Sequence, residues 1–443
     1  MVSGAPANVM DYGAVGDGTT DDSAAITAAL AASDTVYFPK PTTSYRVAST
    51  IIVPSNKTLN AASGAKLLVN AGINALWVQG SQVEINGLTI EYNTTPGNFT
   101  QTGSVGILVR DVDSFGSPAS AWVYVSQIAL NNVDIYKAYT SIKVEAAFWV
   151  ALSNVHTYWD YFGFTLNKDQ ETVNGGASVP LPATTLKMDR AYFHGTQSTY
   201  ATPAGSSSLY IVGVQDMLLT QCVTEYTGKA ADFAAISAGH ISDHYLENCE
   251  AGIEIYGALS PLLVTNPFIL KGVGALPYCF RSGAGNITFY GGQVTMDGGP
   301  DVFYSPNPDL TGSCTFIKQP NLTDALLQVN AEFEGGIDEN NSLVVNQSLF
   351  QSIRYTGWVS ATPKNVTKTV TSGGMAFVTG YSLTGNYRAV VTFNSTGVVT
   401  NVSETNGTAG TVAYAMSSGK LQITSTGTSS QIFEELWVTA FCT

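Results

Sequence analysis

A weak four-residue repeat between residues 81 and 256 constrains the fold more than any other feature of the chain. Each copy reads aliphatic, polar, small or amide, and then aliphatic or cysteine. The copies lie at residues 85–88, 130–133, 152–155, 219–222 and 246–249. Their first residues are 45, 22, 67 and 27 positions apart, which fits a unit of about 22 residues with occasional insertions. A period of this length is typical of solenoid proteins.

The residues around the repeat predict β-strands rather than helices. Residues 142–145 and 253–256 alternate apolar and polar side chains, and this period of two directs alternate side chains inward from a strand. The repeat is long enough for a coil of three short strands at roughly 3.3 Å per residue. We therefore predict an all-β fold, a parallel β-helix in which each coil pairs with the next.

The third position of the repeat predicts a corner of each coil. Asn or Gly at this position suits a tight turn with positive φ, and stacked Asn side chains can form hydrogen-bonded ladders along the axis. Cys222 and Cys249 share the last position of the repeat. We therefore expect them to be stacked thiols in the core rather than a disulfide, whose geometry is demanding.

Composition and charge restrict the class of partner. Only 12% of residues are charged and 44% are hydrophobic, which suits an all-β chain rich in Thr, Ser, Asn, Val and Gly. The net charge of −14 argues against nucleic acid or an anionic membrane as a partner. No apolar run of about 18 residues indicates membrane insertion. No spacing of Cys or His indicates a metal site, and we expect no cofactor.

The first residues predict a cap for one end of the β-helix. Asp21 or Asp22 is placed to cap a helix over residues 24–32. The apolar face of this helix consists of Ala25, Ile26, Ala29 and Leu30. Such a cap is needed because the end of a β-helix exposes apolar core and unpaired strand edges. We assign residues 1–60 to the N-terminal cap and residues 61–362 to the β-helix.

The chain changes character near Pro363. Residues 364–443 are dense in Ser, Thr and Gly, and their short strand patterns are separated by turn signals. This arrangement predicts a C-terminal antiparallel β-sandwich over residues 363–443.

The opening of the chain resembles a known superfamily. Residues 11–26 read Asp-Tyr-Gly-Ala-Val-Gly-Asp-Gly-Thr-Thr-Asp-Asp-Ser-Ala-Ala-Ile, and Val-Tyr-Phe-Pro follows at 36–39. With residues 50–59, this opening is similar to that of the pectate-lyase-like superfamily, and more narrowly to bacteriophage tailspikes with polysaccharide depolymerase activity. The resemblance covers about the first 65 residues and is specific for the fold, not for the reaction.

The resemblance implies a right-handed β-helix that forms a homotrimer in the virion tail. Its substrate would be bacterial capsular polysaccharide or lipopolysaccharide O-antigen, and its C-terminal domain would trimerise the spike or bind carbohydrate. The capping motif begins close to Met1, so we expect a tail-attachment domain to be missing, trimmed or supplied by another protein.

Candidate catalytic groups are carboxylates close to two insertions, residues 167–185 and 195–207, which as loops would line a groove. Glycoside hydrolysis needs two carboxyl groups, one protonated and one ionised. Strands of adjacent coils lie about 4.8 Å apart, so carboxylates of neighbouring coils can reach the roughly 5–9.5 Å that the two mechanisms require. We predict two of Glu225, Asp232 and Glu254 as the catalytic pair, with Asp160 in reserve. Turn capping is the alternative role for such acids.

Outward side chains of the β-helix would bind the substrate. The predicted binding residues are Lys143, Glu145, Trp159, His194, Tyr210 and Tyr256. For each of them, an ordinary solvated strand face with ion pairs between coils is the alternative. A lyase would instead need a base and a group that neutralises a uronate carboxylate. The candidates for that chemistry are Lys143, Arg190, His194, Lys229 and His240.

The predicted function is hydrolysis of a bacterial surface polysaccharide by a tailspike-like depolymerase. A polysaccharide lyase on the same scaffold is the first alternative, and a glycan-binding adhesin without catalysis is the second. A monomeric secreted enzyme acting on cell-wall polysaccharide is the third.

Overall fold

The computed structural model describes residues 5–111, 124–167, 183–195 and 205–249, and after residue 250 only the separate strands named below. The insertions expected at 167–185 and 195–207 lie largely outside the described residues. The chain divides into two compact units, Met1–Leu262 and Leu263–Thr443.

The first unit is a parallel β-helix whose coils cross three faces in turn. The first face contains Ala7–Asn8, Thr35–Phe38, Lys57–Ala61, Val83–Asn86, Val125–Asn131, Ala147–Ser153, Ala183–Asp189, the second part of Ser207–Thr220, and Gly239–Ser242. The second face contains Asp17–Asp21, Ser44–Val47, Lys66–Val69, Thr89–Tyr92, Asp134–Tyr136, His156–Tyr158, Tyr192–His194, Val223–Glu225 and Tyr245–Glu247. The third face contains Ile51–Val53, Asn74–Val78, Val105–Val109, Thr140–Val144, Phe162–Leu166, the first part of Ser207–Thr220, Lys229–Ile236 and Ala251–Tyr256. The predicted right-handed parallel β-helix is thereby confirmed.

The repeat marks the corner between the first and second faces. Ile85 pairs with Leu130, and Leu130 pairs with Leu152. The third position of the first four copies has positive φ: 74° at Gly87, 53° at Asn132, 53° at Asn154 and 52° at Gln221. This confirms the predicted tight turn, because the left-handed region favours glycine and amide side chains.

The fifth copy of the repeat is wrongly placed by the sequence pattern. Leu219 pairs with Ile241, whereas Leu246 lies on the second face opposite Thr224. Cys222 and Cys249 therefore occupy different corners, and the expectation of stacked thiols is wrong. Both are free cysteines, and burial raises the pKa of each thiol to about 12.

Inward side chains stack coil upon coil to form the core. The inward column of the third face is Val78, Val109, Val144, Leu166, Ile211 and Phe233, each fully buried. Burial of each such side chain contributes roughly 1.5–3 kcal/mol. At the end of the first face, Asn86 donates to Asn60 at 2.9 Å and accepts from Asn131 at 2.9 Å. These bonds form an amide ladder at the second position of the repeat. At the third position, where the ladder was expected, Asn154 donates to Asn132 at 2.8 Å.

The cap helix spans Ser23–Ala32 and begins one residue before the predicted start. Its residues Ile26, Ala29 and Leu30 are buried, and the helix packs against Ile51–Val53. No described helix is long and apolar enough to cross a membrane.

Of the two candidate capping aspartates, only Asp21 bonds to the start of this helix through its side chain. The Asp21 carboxylate accepts from Ser23 N at 3.1 Å and from Ser23 Oγ at 2.6 Å. The Asp22 carboxylate instead accepts from the backbone of Val15 at 2.6 Å and of Arg46 at 3.1 Å. Asp22 therefore ties the glycine-rich loop to the second face.

The second unit contains parallel strands followed by antiparallel ones. The parallel strands are Leu262–Thr265 (which begins at the division between units), Phe268–Lys271, Tyr278–Ser282, Gly285–Tyr290, Gln293–Met296, Asp301–Pro306, Gly312–Lys318, Asn321–Thr323 and Ala325–Leu326. One antiparallel sheet has the order Phe350–Thr356, Glu435–Cys442, Gly373–Ser382, Gly385–Asn394 and Val399–Asn406. A smaller antiparallel sheet has the order Lys364–Asn365, Lys420–Ser425 and Val412–Ser417. Another pairs Gly336–Ile337 with Leu343–Val344. The largest antiparallel sheet thus includes a strand that precedes residue 363. The domain boundaries at 61 and 363 stay predictions.

Candidate functional site

A row of outward side chains on the third face brings several predicted residues together. Lys143 pairs with Thr165, and Thr165 pairs with Tyr210. Tyr210 pairs with Asp232, which pairs in turn with Glu254. Because paired residues of parallel strands point to the same side, these five side chains follow one another at steps of about 4.8 Å along the β-helix.

Asp232 and Glu254 form a bridged pair in this row. The ammonium group of Lys229 lies 3.0 Å from Asp232 Oδ1 and 2.7 Å from Glu254 Oε2. These two oxygens are therefore at most about 5.7 Å apart, the sum of the two distances. The carboxylate side chains are 9% and 14% exposed, and that of Lys229 is 31% exposed. The pair is shielded from water but reachable at the surface.

Burial determines the protonation preference of this pair. Burial raises the pKa of Asp232, and the adjacent Lys229 only partly offsets that effect. Burial also acts to lower the pKa of Lys229, but hydrogen bonds and charge interactions with Glu254 and Asp232 raise it overall. The site therefore combines a fixed cation with a carboxyl group disposed to hold a proton.

Glu145 lies at the centre of a buried ion-pair cluster on the same face. Arg110 Nη1 lies 3.0 Å from Glu145 Oε2, and Lys143 Nζ lies 3.3 Å from Glu145 Oε1. The Arg110 guanidinium lies over the ring of Trp77 at 5.5 Å. The Glu145 side chain is only 4% exposed, which matches the alternative of ion pairing between coils rather than contact with a substrate.

The structure places Glu225 on a different face from Asp232. Glu225 ends a second-face strand and lies in register with His194 on one side and Glu247 on the other. The hydroxyl of Tyr192 donates to Glu225 Oε2 at 2.8 Å. Of the three carboxylates proposed as a catalytic pair, only Asp232 and Glu254 therefore lie side by side.

Trp159 and His194 belong to an aromatic cluster on the second face. The ring of Trp159 lies 6.0 Å from that of Tyr136, and the ring of His194 lies 5.9 Å from that of Tyr158 and 5.0 Å from that of Tyr226. The sequence reasoning missed Tyr136, Tyr192, Tyr226 and Tyr245 as members of this surface. Tyr136 and Tyr158 are 22 residues apart, and this coil period was the available signal.

Asp160 lies inside the protein rather than in either surface row. Its carboxylate is buried and accepts a hydrogen bond from Ser141 Oγ at 2.7 Å. Burial raises the pKa of Asp160 to about 6, although the hydrogen bond from Ser141 opposes the shift. This contact set matches the structural alternative for Asp160.

The remaining candidates are dispersed. Arg190 lies at a first-face corner with φ of 52°, where its Nε lies 3.0 Å from Asp189. His240 lies on the first face opposite Leu218. The backbone of Tyr256 pairs with Ala234, and its side chain lies outside the described residues. In the described part of the chain, no group of three or more His, Cys, Asp or Glu side chains is arranged to hold a metal ion.

Comparisons with known proteins agree with the expected superfamily at the start of the chain. Residues 7–71 match the model of the family described as Rhamnogalacturonase A/epimerase, pectate lyase-like. A comparison with curated proteins found no match. The predicted resemblance to the pectate-lyase-like superfamily is thus confirmed for this segment.

Solved structures show the same fold. The chain is similar to DFA-IIIase from Arthrobacter chlorophenolicus A6 with a TM-score of 0.52 and 9% identity, over 77% of this chain and 90% of that chain. It is also similar to the enzymatically active domain of bacteriophage CBA120 tailspike protein 2, with a TM-score of 0.48, 11% identity and coverages of 99% and 79%. The chain is similar to the tailspike of Acinetobacter phage vB_ApiP_P1 with a TM-score of 0.42 and 11% identity, over 99% of this chain and 87% of that chain. At such identities a likeness concerns the fold alone.

Proposed function

We propose that the chain binds a bacterial surface polysaccharide, a capsule or an O-antigen, and hydrolyses its glycosidic bonds on the third face. The observation that carries this proposal is the pair of carboxylates, Asp232 and Glu254, on neighbouring coils with Lys229 between them. The resemblance of the first 65 or so residues to tailspikes supports the choice of substrate. It also supports a homotrimer in the virion tail as the setting.

Asp232 is the proposed general acid. Its raised pKa favours the protonated form, which donates a proton to the glycosidic oxygen of the leaving group. Glu254 is the proposed ionised partner, and it attacks the anomeric carbon from the opposite side. A separation of at most about 5.7 Å between the two oxygens fits the roughly 5–5.5 Å of retaining enzymes and leaves little room for an intervening water. We therefore expect retention of configuration.

The neighbours of this pair have supporting roles. Lys229 bonds to both carboxylates and so offsets their mutual repulsion whenever both are ionised. Tyr210 lies one coil before Asp232 in the same row, where it would contact the sugar next to the bond that breaks. Lys143, two coils before Tyr210, extends the row for further sugars of the chain, whereas Thr165 between them is buried.

The test is depolymerisation of a panel of purified capsular polysaccharides and O-antigens, with mass spectrometry of the products. Hydrolysis predicts oligosaccharides that have gained water, and proton NMR of the first product should show the anomeric configuration of the substrate. Asp232→Asn and Glu254→Gln should each lower kcat by at least about a hundredfold. Glu84→Gln, an exposed first-face carboxylate, is the matched control and should retain activity.

The alternatives give different results in the same assay. Unsaturated products that lack water would indicate a lyase and direct attention to Lys143, Lys229 and His194. Binding without cleavage across the panel would indicate an adhesin. Full activity of the Asp232 and Glu254 variants would refute the assigned residues.

A further inference from the structure

The second face carries a band of aromatic and carboxylate side chains that the catalytic proposal does not use. We propose that this band is a separate, non-catalytic binding surface for an uncharged stretch of the polysaccharide chain. The identity of the ligand rests on the proposed function, whereas the surface itself is inferred from the second face alone.

The band arises from the shape of the second-face strands. From Asp134–Tyr136 to Tyr245–Glu247 each strand has three residues, of which the middle one is buried and both flanking ones are partly exposed. One exposed row is Tyr136, Tyr158, His194, Glu225 and Glu247, and the other is Asp134, His156, Tyr192, Val223 and Tyr245. Five successive coils therefore contribute two partly exposed side chains each, repeated at about 4.8 Å.

The aromatic rings in the band are held in a fixed array. The rings of Tyr136 and Tyr158 are stacked 4.8 Å apart at an angle of 7°, so each covers one ring face of the other. His194 is tilted by 37° to Tyr158, and Tyr226 is tilted by 38° to His194. These tilted rings leave the parallel stack and offer apolar ring surface beside the hydroxyl groups. Such a mixture of apolar and hydrogen-bonding surface matches the two faces and the rim of a sugar ring.

Two carboxylates in the band are already oriented by tyrosines. Tyr192 donates to Glu225 Oε2 at 2.8 Å, and Tyr245 donates to Glu247 Oε2 at 2.6 Å. An ionised carboxylate has about four acceptor positions, so each retains capacity for sugar hydroxyl groups. Burial and nearby carboxylates raise the pKa of Tyr136 to about 12, and its phenol is therefore a hydrogen-bond donor at neutral pH.

Charge decides the chemical class of the ligand. The carboxylates of Asp134, Glu225 and Glu247 lie in or beside the exposed rows, and Asp134 contacts His156 at 2.9 Å. A polyanion such as nucleic acid would be repelled by this surface. A chain of neutral sugars supplies hydroxyl groups that donate hydrogen bonds to these carboxylates. We therefore infer that the saccharide lies along the β-helix axis, where the two exposed rows repeat at about 4.8 Å.

The experiment separates binding from catalysis. In the inactive Asp232→Asn background, isothermal titration calorimetry measures affinity for each polysaccharide of the panel that the wild type binds. Two double variants are each expected to weaken binding of the long polymer by at least about tenfold. The first is Tyr136→Ala with Tyr158→Ala, and the second, more conservative, is Glu225→Gln with Glu247→Gln. Tyr37→Ala, an exposed aromatic on the first face, is the matched control and should bind as the parent does.

A second measurement uses the active background. The band variants should cleave fragments of two or three sugars with unchanged kcat, because such fragments occupy only the third face. Unchanged polymer affinity in both band variants would overturn the inference even if the Asp232 assignment holds. Active Asp232 and Glu254 variants would overturn the catalytic proposal and leave the band untouched. Analytical ultracentrifugation of the wild type and the band variants tests whether the band is a subunit interface. A trimeric wild type with monomeric band variants would show that it is, and would refute the binding surface.

Discussion

Replacing Asp160 by asparagine should remove one of two opposing pH-dependent contributions to the stability of the β-helix. The Asp160 carboxyl group is 2% exposed. In the described structure the carboxylate accepts a hydrogen bond from the neutral hydroxyl of Ser141. Burial without a compensating cation favours the uncharged form and raises the pKa from 3.8 to about 6.

The magnitude follows from linkage between protonation and folding. Between about pH 4 and about pH 6, folded Asp160 binds more protons than unfolded Asp160, so the free energy of unfolding falls as pH rises. A shift from 3.8 to about 6 corresponds to about 3 kcal/mol.

Buried His244 acts in the opposite direction. Its pKa is lowered by burial from 6.5 to about 4, so the unfolded state binds more protons over nearly the same window and stability rises with pH. In the wild type the contributions of Asp160 and His244 to the pH dependence of the free energy of unfolding largely cancel. The pH profile of the wild type alone therefore shows neither contribution.

The assay is denaturant unfolding of wild type and Asp160→Asn at several values between about pH 4 and about pH 8. Asparagine does not titrate, so the variant should gain about 3 kcal/mol relative to wild type across this range. Any constant effect of the new amide group cancels in this comparison. Parallel profiles would refute the reasoning, because they would mean that Asp160 ionises inside the protein without penalty.

Three further changes test the electrostatics and backbone of the β-helix. Glu145→Gln removes the buried acceptor of two cations and should lower the free energy of unfolding by about 3 kcal/mol, whereas exposed Glu84→Gln should change it little in the same denaturant titration. Asn154→Val places a β-branched residue at φ of 53° and should cost about 1–2 kcal/mol; Asn154→Gly should retain stability, and equal melting temperatures would contradict the strain argument. Lys229→Met removes the cation that lowers the pKa of Asp232, so the alkaline limb of kcat/KM should move up by about one pH unit. An unmoved limb in an active variant would exclude Asp232 as the acid.

The period and the first corner of the β-helix were predictable because both depend on local chemistry. At this corner an amide or glycine with positive φ precedes a buried aliphatic residue or cysteine, and this local pattern specifies the tight turn. The same local chemistry explains the error at Leu246. Asn248 also has positive φ, at 50°. It directly follows a second-face strand, whereas Gln221 directly follows a first-face strand. Two corners with similar backbone needs have similar sequences, so a repeat of four residues does not distinguish them.

Gly87 shows how a corner changes the alternation of a strand. Its φ of 74° separates Val83–Asn86 from Thr89–Tyr92. The buried residues are Val83 and Ile85 before the corner and Leu88 and Ile90 after it, so the alternation of apolar and polar residues shifts by one position at Gly87. This shift, together with the glycine, is the sequence signal that the chain changes face.

Distance along the sequence is a poor guide to the site for the same reason. Glu225 and Asp232 are seven residues apart but lie on different faces, whereas Asp232 and Glu254 are 22 residues apart and lie side by side. Glu225 and Glu247 are also 22 residues apart and in register, so the coil period alone identifies two carboxylate pairs. What distinguishes them is the environment: the first pair is bridged by Lys229, and burial raises the pKa of Asp232. The second pair is bonded to tyrosine hydroxyls. We therefore expect Asp232→Asn to abolish turnover and Glu225→Gln to weaken polymer binding, and the reverse result would exchange the roles of the two faces.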